Sequence, residues 1–212
     1  MKGKNLQLIF GISVLILILT SAFALEAYAE ELLVQKTLAL WHFDEIQTPD
    51  ATENENIGIL GGNPPPTPVE GKFGKALSFD GNNFVYVPYA PNLYTPDEVT
   101  IEAWIYVTGF KDTPYNNILV IAYRAGLEWT TTTRICGISL TPCGKAAQAS
   151  KAYLRGYVYT DKEHFNEIIT IDPLIPLNQW IHVAFVRSLS TGMHLYVDGE
   201  EVKTNVTWGV KN

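Results

Sequence analysis

Between residues 99 and 107 the chain alternates without a break. Val99, Ile101, Ala103, Ile105 and Val107 form one set; Thr100, Glu102, Trp104 and Tyr106 form the other. A helix would scatter each set around its circumference, whereas a strand sends them to opposite faces. The segment is read as a long, half-buried strand. Such a strand is not stable alone, because its apolar face needs further strands beside it and a second layer over it. Ile181, Val183 and Phe185 alternate with His182, Ala184 and Val186 in the same way, giving a second strand covered on both faces.

Shorter strand-like runs are read at 37–43, 76–79, 84–87, 118–123, 135–140, 153–159, 167–171, 194–197 and 201–206. Asp80-Gly81-Asn82-Asn83 separates two of them, and Asp198-Gly199 is a two-residue hairpin signal. Beyond residue 29 no capped amphipathic helix and no internal repeat is visible. About eleven short strands with hairpin punctuation predict an all-β fold of two packed antiparallel sheets. One stretch breaks the rhythm. Residues 48–70 hold Asp50, Glu53, Glu55, Gly61-Gly62 and Pro64-Pro65-Pro66. Three consecutive prolines donate no ladder hydrogen bonds, so this is read as a Pro/Gly-rich surface loop.

Composition narrows the function. Hydrophobic residues make up 47% of the 212 and charged residues 17%, which is too apolar for a disordered chain. With 15 Lys and Arg against 22 Asp and Glu, the net charge of −7 lacks the footprint of a nucleic-acid binder. The 11 tyrosines and 5 tryptophans favour strands and contact surfaces.

Residues 1–29 are read as a secretory signal peptide. Lys2 and Lys4 precede an apolar run at 6–19, and Ala27-Tyr28-Ala29 gives an A-x-A cleavage pattern. The alternative is an uncleaved signal-anchor helix, the one route to a membrane contact. Residues 30–212 then form one domain, secreted or at the cell surface. Two cysteines, Cys136 and Cys143, suit a disulfide in that compartment, with Gly137 and Pro142 offering a turn between them. A metal site is the weaker alternative, since no His or further Cys lies nearby. Asn205-Val206-Thr207 is a glycosylation sequon.

Catalytic patterns are missing. No Glu-x-Asp-x-x-Glu run places paired acids on a strand, and Glu102 stands alone on its own. Asp97-Glu98 and Glu200-Glu201 flank turns. There is no Gly-x-Ser-x-Gly elbow, and His42, His164, His182 and His194 lack His-Glu-x-x-His spacing. His182 is read as a hydrogen-bonded sheet residue. The chain is expected not to be an enzyme.

Four segments in order resemble the laminin-G-like jelly roll of the concanavalin A-like lectin superfamily. They are Leu40-Trp41-His42-Phe43-Asp44-Glu45, then Gly71-Lys72-Phe73-Gly74-Lys75-Ala76-Leu77-Ser78-Phe79-Asp80-Gly81, then Val99-Thr100-Ile101-Glu102-Ala103-Trp104-Ile105. The fourth runs from Asn178-Gln179-Trp180-Ile181-His182-Val183-Ala184 to Leu195-Tyr196-Val197-Asp198-Gly199. The resemblance implies a two-sheet antiparallel jelly-roll sandwich and a binding or adhesive role toward glycans or extracellular proteins. Trp41, Trp104 and Trp180 have full structural readings within it. Relatives usually continue past the Tyr-Val-Asp-Gly hairpin with an acidic final strand. Here the chain stops at Asn212, soon after Trp208-Gly209, so the resemblance implies that the last strands are absent: the expectation is either a C-terminally truncated piece of a longer protein or a sheet edge covered in another way.

Three candidate sites follow. Tyr153, Arg155, Tyr157 and Tyr159 alternate with Leu154, Gly156 and Val158, so they share one face of a strand and would suit a saccharide or a protein. Trp129, in the polar loop 125–133, is a second anchor. Calcium, bound by some relatives, has only Asp44, Glu45, Asp80 and Asn82 as candidate ligands here, so weak or no binding is expected. The resulting expectation is an exported, non-catalytic binding module for a glycan or extracellular protein, with no cofactor. The alternatives are a structural module of a larger surface protein and an accessory domain of a secreted glycoside hydrolase.

Overall fold

The computed structural model describes residues 37–45, 47–93, 98–111, 119–124, 135–159 and 165–208. The signal peptide expected at 1–29 lies outside them. Among these residues fourteen strands follow in order: β1 (Ile59–Gly61), β2 (Thr67–Glu70), β3 (Lys75–Ser78), β4 (Phe84–Tyr86), β5 (Val99–Tyr106), β6 (Leu119–Arg124), β7 (Ile135–Pro142), β8 (Lys151–Tyr159), β9 (Phe165–Thr170), β10 (Ile175–Pro176), β11 (Trp180–Ser188), β12 (Gly192–Val197), β13 (Glu200–Glu201) and β14 (Thr204–Trp208). Every pairing is antiparallel.

The larger sheet runs β14-β9-β8-β7-β6, with β10 added beside β8, and the smaller runs β13-β12-β11-β5. Among the described residues there are also the hairpin β2-β3 and a two-stranded pair of β1 with β4, which encloses that hairpin in sequence. The two main sheets face one another, β12 over β8 and β9 and β11 over β7. Their facing side chains form one core: Ile138 and Leu140 from β7, Leu154 and Val158 from β8, Ile168 from β9, Ile181, Val183 and Phe185 from β11, and Leu195 from β12. Burial of such side chains at about 1.5–3 kcal/mol each is what holds the layers together. This is the all-β sandwich that the alternation predicts.

The sheets come into close contact where Gly156 meets Phe185. A β-carbon at 156 would collide with the Phe185 ring. Between β12 and β13, Asp198 and Gly199 take φ of 50° and 84°. Positive φ at both central residues is what a type I′ hairpin turn demands, and Asp-Gly supplies it cheaply.

Three stretches differ from the expectation. Residues 37–43 join no ladder. Instead the Leu40 N–H donates to Asp50 Oδ1 at 2.9 Å and the Trp41 indole N–H to the Asn56 carbonyl at 2.7 Å. The Asp50 carboxylate and backbone groups of the following loop thus take the place of a partner strand. Within 48–70, β1 and β2 are ordered on either side of the prolines, and Thr48 bridges to Gly58.

The disulfide is the third difference. Cys136 and Cys143 are not joined in a disulfide; the first is buried and the second exposed. The turn expected between them is the extended strand β7, which carries Cys136 near its start and ends just before Cys143. Six strand residues lie between the two, and seven rises of about 3.3 Å hold them roughly 23 Å apart, far beyond the ~7 Å limit for a disulfide. Cys136 faces the core, while Cys143 Sγ lies 3.8 Å from the Tyr153 hydroxyl.

Candidate functional site

The outer face of the smaller sheet is built by two strands in register. β5 pairs with β11 so that Tyr106 lies opposite Trp180, Trp104 opposite His182 and Glu102 opposite Ala184. Directly opposite residues of an antiparallel pair share a face. Because Ile101, Ile105, Ile181, Val183 and Phe185 turn into or against the core, the other set must turn outward. The large rings therefore gather on the solvent side. Trp104 is 42% exposed and Tyr106 45%. Tyr196 of β12, opposite Ala184, continues the same face.

The rings touch one another. The centroids of Trp104 and the His182 imidazole are 5.3 Å apart, and those of Tyr106 and Trp180 5.5 Å. From the β2-β3 turn, Phe73 meets Trp104 edge-on at 5.8 Å and 84°. Lys72 Nζ stands over the Trp104 ring, 5.1 Å from its centroid. His182 Nε2 is 3.6 Å from Glu102 Oε2. The I′ turn docks on the same strand: the His182 N–H donates to Asp198 Oδ1 at 2.9 Å, and the Asp198 N–H to the His182 carbonyl at 2.8 Å. Lys72, Trp104, Trp180, His182, Asp198 and Gly199 enclose an open depression of about 590 Å³. That volume suits a small ligand or a short stretch of a polymer. Indole and phenol faces stack on apolar C–H surfaces, while the carboxylate, imidazole and ammonium at the rim are hydrogen-bonding partners for hydroxyls.

The second face belongs to β8. Tyr153, Arg155, Tyr157 and Tyr159 do lie on the side away from the core, each half-buried, while Leu154, Gly156 and Val158 turn inward. The group is largely engaged with its own sheet. Arg155 forms an ion pair with Glu167 of β9, both side chains mostly covered. Burial lowers the Arg155 pKa, against the opposing effect of Tyr157 and Tyr159. Tyr159 stacks on Phe165 at 4.4 Å, and Tyr157 lies across Gly137, where a β-carbon would strike its ring. The hydrogen bond and charge of the Cys143 thiol raise the Tyr153 pKa. Trp129 lies outside the described residues.

The calcium candidates sit on separate turns. Asp44 Oδ1 accepts the Lys75 N–H at 2.7 Å, and Asp80 Oδ1 accepts the Asn82 N–H at 2.8 Å. The Asp80 carbonyl takes the Lys111 ammonium. Glu45 and Asn82 are exposed. Among the described residues no three His, Cys, Asp or Glu side chains gather into a metal-binding group. The sequon residue Asn205 is exposed on β14, at the edge of the larger sheet.

The Trp104 face was not among the sites expected from sequence. Trp104, Trp180 and His182 each have an ordinary structural reading on a strand, and periodicity separates two faces without saying which is covered. The available signal was the register: two tryptophans and a tyrosine fall on the outward set of two strands that are both apolar inward.

No curated protein and no solved structure matches the chain. A sequence model described as the concanavalin A-like lectin/glucanases superfamily, laminin-G type, matches residues 79–212. The match takes in β5, β11, the Asp198-Gly199 turn and almost every residue of the depression, Lys72 excepted. The chain belongs to the laminin-G-like family of the concanavalin A-like lectin/glucanases superfamily.

Proposed function

We propose that this chain is an exported, non-catalytic module that binds a glycan on the outer face of β5 and β11. The observation that carries the reading is the exposed indole of Trp104 beside Trp180, Tyr106, His182 and Asp198 in one open depression. A sugar ring has an apolar C–H face and an equatorial rim of hydroxyls. The first matches the rings, and the second matches Asp198, His182 and Lys72 at the margin. An open, shallow site admits part of a longer chain without enclosing it. The leader at residues 1–29 supports delivery to the secreted or cell-surface compartment, where such polymers occur. The reading needs no metal, and weak or no calcium binding is part of it, because Asp44 and Asp80 lend oxygens to backbone N–H groups.

The face on β8 supports a different role. With Arg155 held by Glu167 and Tyr159 stacked on Phe165, it behaves as a bracing layer of the larger sheet. A glycan array run with the full chain and with Trp104→Ala, Trp180→Ala and Tyr157→Ala tests the reading. Loss of signal in the two tryptophan variants alone is the expected result. Full binding by Trp104→Ala with loss in Tyr157→Ala would move the site to β8. An extracellular protein captured through the Trp104 face, with no glycan bound, would replace the ligand class.

A further inference from the structure

In the glycan reading Lys72 meets hydroxyls at the margin, which leaves its place over the indole unexplained. Its ammonium stands over the Trp104 ring, where a sugar would stack. Lys72 is exposed and, among the described residues, has no carboxylate partner. Neighbouring Lys75 has one, in Glu70. The charged groups lining or beside the depression are Asp198, whose Oδ1 already accepts the His182 N–H, and Glu102, which lies beside the His182 ring. Among the described residues Lys72 is therefore the one lysine or arginine lining it, and it has no ion pair of its own there.

The turn that carries Lys72 is fixed at its base. Gly71 N–H donates to the Gly74 carbonyl at 2.9 Å, and Gly74 sits at φ 55°. Asp44 receives the Lys75 N–H. The Lys72 side chain can swing aside through its own rotamers with no change in the backbone.

We infer that Lys72 sets the specificity of the site by competing for the Trp104 ring, and that the ligand it favours is a glycan bearing a carboxylate, a uronate. This deepens the glycan reading and rests on it. A neutral sugar must displace the ammonium from the ring and leaves it with water. A uronate displaces it too, but its carboxylate then receives the freed ammonium at the rim. Loss of an exposed cation–π contact is worth about two- to fivefold in affinity, equivalent to roughly 0.5–1 kcal/mol. A surface ion pair to the sugar carboxylate restores an effect of similar size, up to about fivefold.

Matched ligands separate the two contributions. Tetrasaccharides of β-1,4-linked glucose, mannose and galactose, and the uronate counterpart of each, differ only in oxidation at C6. They are titrated against the full chain, Lys72→Ala, Lys72→Arg and Trp104→Ala, at low and high salt. The wild type is expected to prefer at least one uronate over its neutral partner, with the preference shrinking as salt rises. In Lys72→Ala the neutral sugar should bind about two- to fivefold tighter, while the uronate, freed of the competition but deprived of the ion pair, changes little, so the preference falls by about that factor; Lys72→Arg keeps the wild-type order. An unchanged ratio in Lys72→Ala, with both ligands lost in Trp104→Ala, overturns the role of Lys72 and leaves the glycan site standing. Wild-type binding by Trp104→Ala, or no binding by any chain, overturns both.

Discussion

Phe185 of β11 lies directly against Gly156 of β8, so that a β-carbon at 156 would occupy the space of its ring. Both residues are buried, Phe185 completely. The contact sets the spacing of the sheets at their centre, and with it the position of the β5-β11 face that lies on the far side of the smaller sheet. Gly156→Ala forces either the ring or β8 to move. Overpacking of this kind costs about 1–3 kcal/mol, and the melting temperature should fall by roughly 2–10 °C. Thermal unfolding followed by circular dichroism checks this; an unchanged midpoint would show that the sheets adjust freely.

Arg155 and Glu167 form the covered ion pair of the β8 face. Arg155→Ala leaves a buried carboxylate without its guanidinium, an effect of about 3 kcal/mol. The variant should melt well below the wild type, yet retain glycan affinity at temperatures where it is folded. Loss of affinity with unchanged stability would instead assign Arg155 to the ligand.

Asp50 ties the segment 38–58 together. Its Oδ1 accepts from the N–H groups of Leu40 and Thr52, and its Oδ2 from Asn56. Partial burial raises its pKa, but the three backbone N–H bonds outweigh this and the net shift is downward. A lowered folded-state pKa means the carboxylate stabilises the fold above its unfolded pKa of about 3.9, and that contribution is lost as pH falls through the folded value. Protection factors at Leu40, Thr52 and Asn56, which remove the intrinsic pH dependence of amide exchange, should be high at neutral pH and fall in acid as the pH drops through the lowered Asp50 pKa. Asp50→Asn should exchange faster than wild type at neutral pH and converge with it in acid. Parallel profiles across the whole range would contradict the assignment.

The two cysteines give a chemical test. Cys143 is exposed and Cys136 is buried against the core. A maleimide should modify Cys143 in the native chain within minutes, and Cys136 only after unfolding. Resistance of both thiols until a reductant is added would show a disulfide and require β7 to be rebuilt.

Much of the fold is legible in the residues. The alternation at 99–107 and 181–186 fixes which side chains face the core, and Asp198-Gly199 places a hairpin within one residue. These are local rules, and they hold because each depends on neighbours in sequence. The Cys136–Cys143 expectation failed because Gly137 and Pro142 permit a turn but do not compel one. Pairing of β7 with β6 and β8 along both sides stretches the segment out. The role of Trp104 was hidden for a related reason. An indole on the second face of a strand reads the same whether that face is covered or open. Its exposure depends on the β2-β3 turn, which brings Phe73 and Lys72 to the ring from some thirty residues away and yet leaves much of it in solvent. Arg155 shows the converse: a cation among tyrosines looks like a ligand contact until Glu167 arrives from the neighbouring strand.

The central claim is that glycan binds at Trp104 on the outer face of β5 and β11. It is tested most directly by the indole N–H signals of the 5 tryptophans in a ¹⁵N-correlated NMR spectrum, assigned by single substitution and followed during titration with the tetrasaccharides. The account predicts that the Trp104 and Trp180 signals shift with saturable dependence on sugar, while Trp41, held to the Asn56 carbonyl, stays in place. A titration that moves Trp129 or the β8 tyrosine resonances and leaves Trp104 and Trp180 unchanged would contradict it.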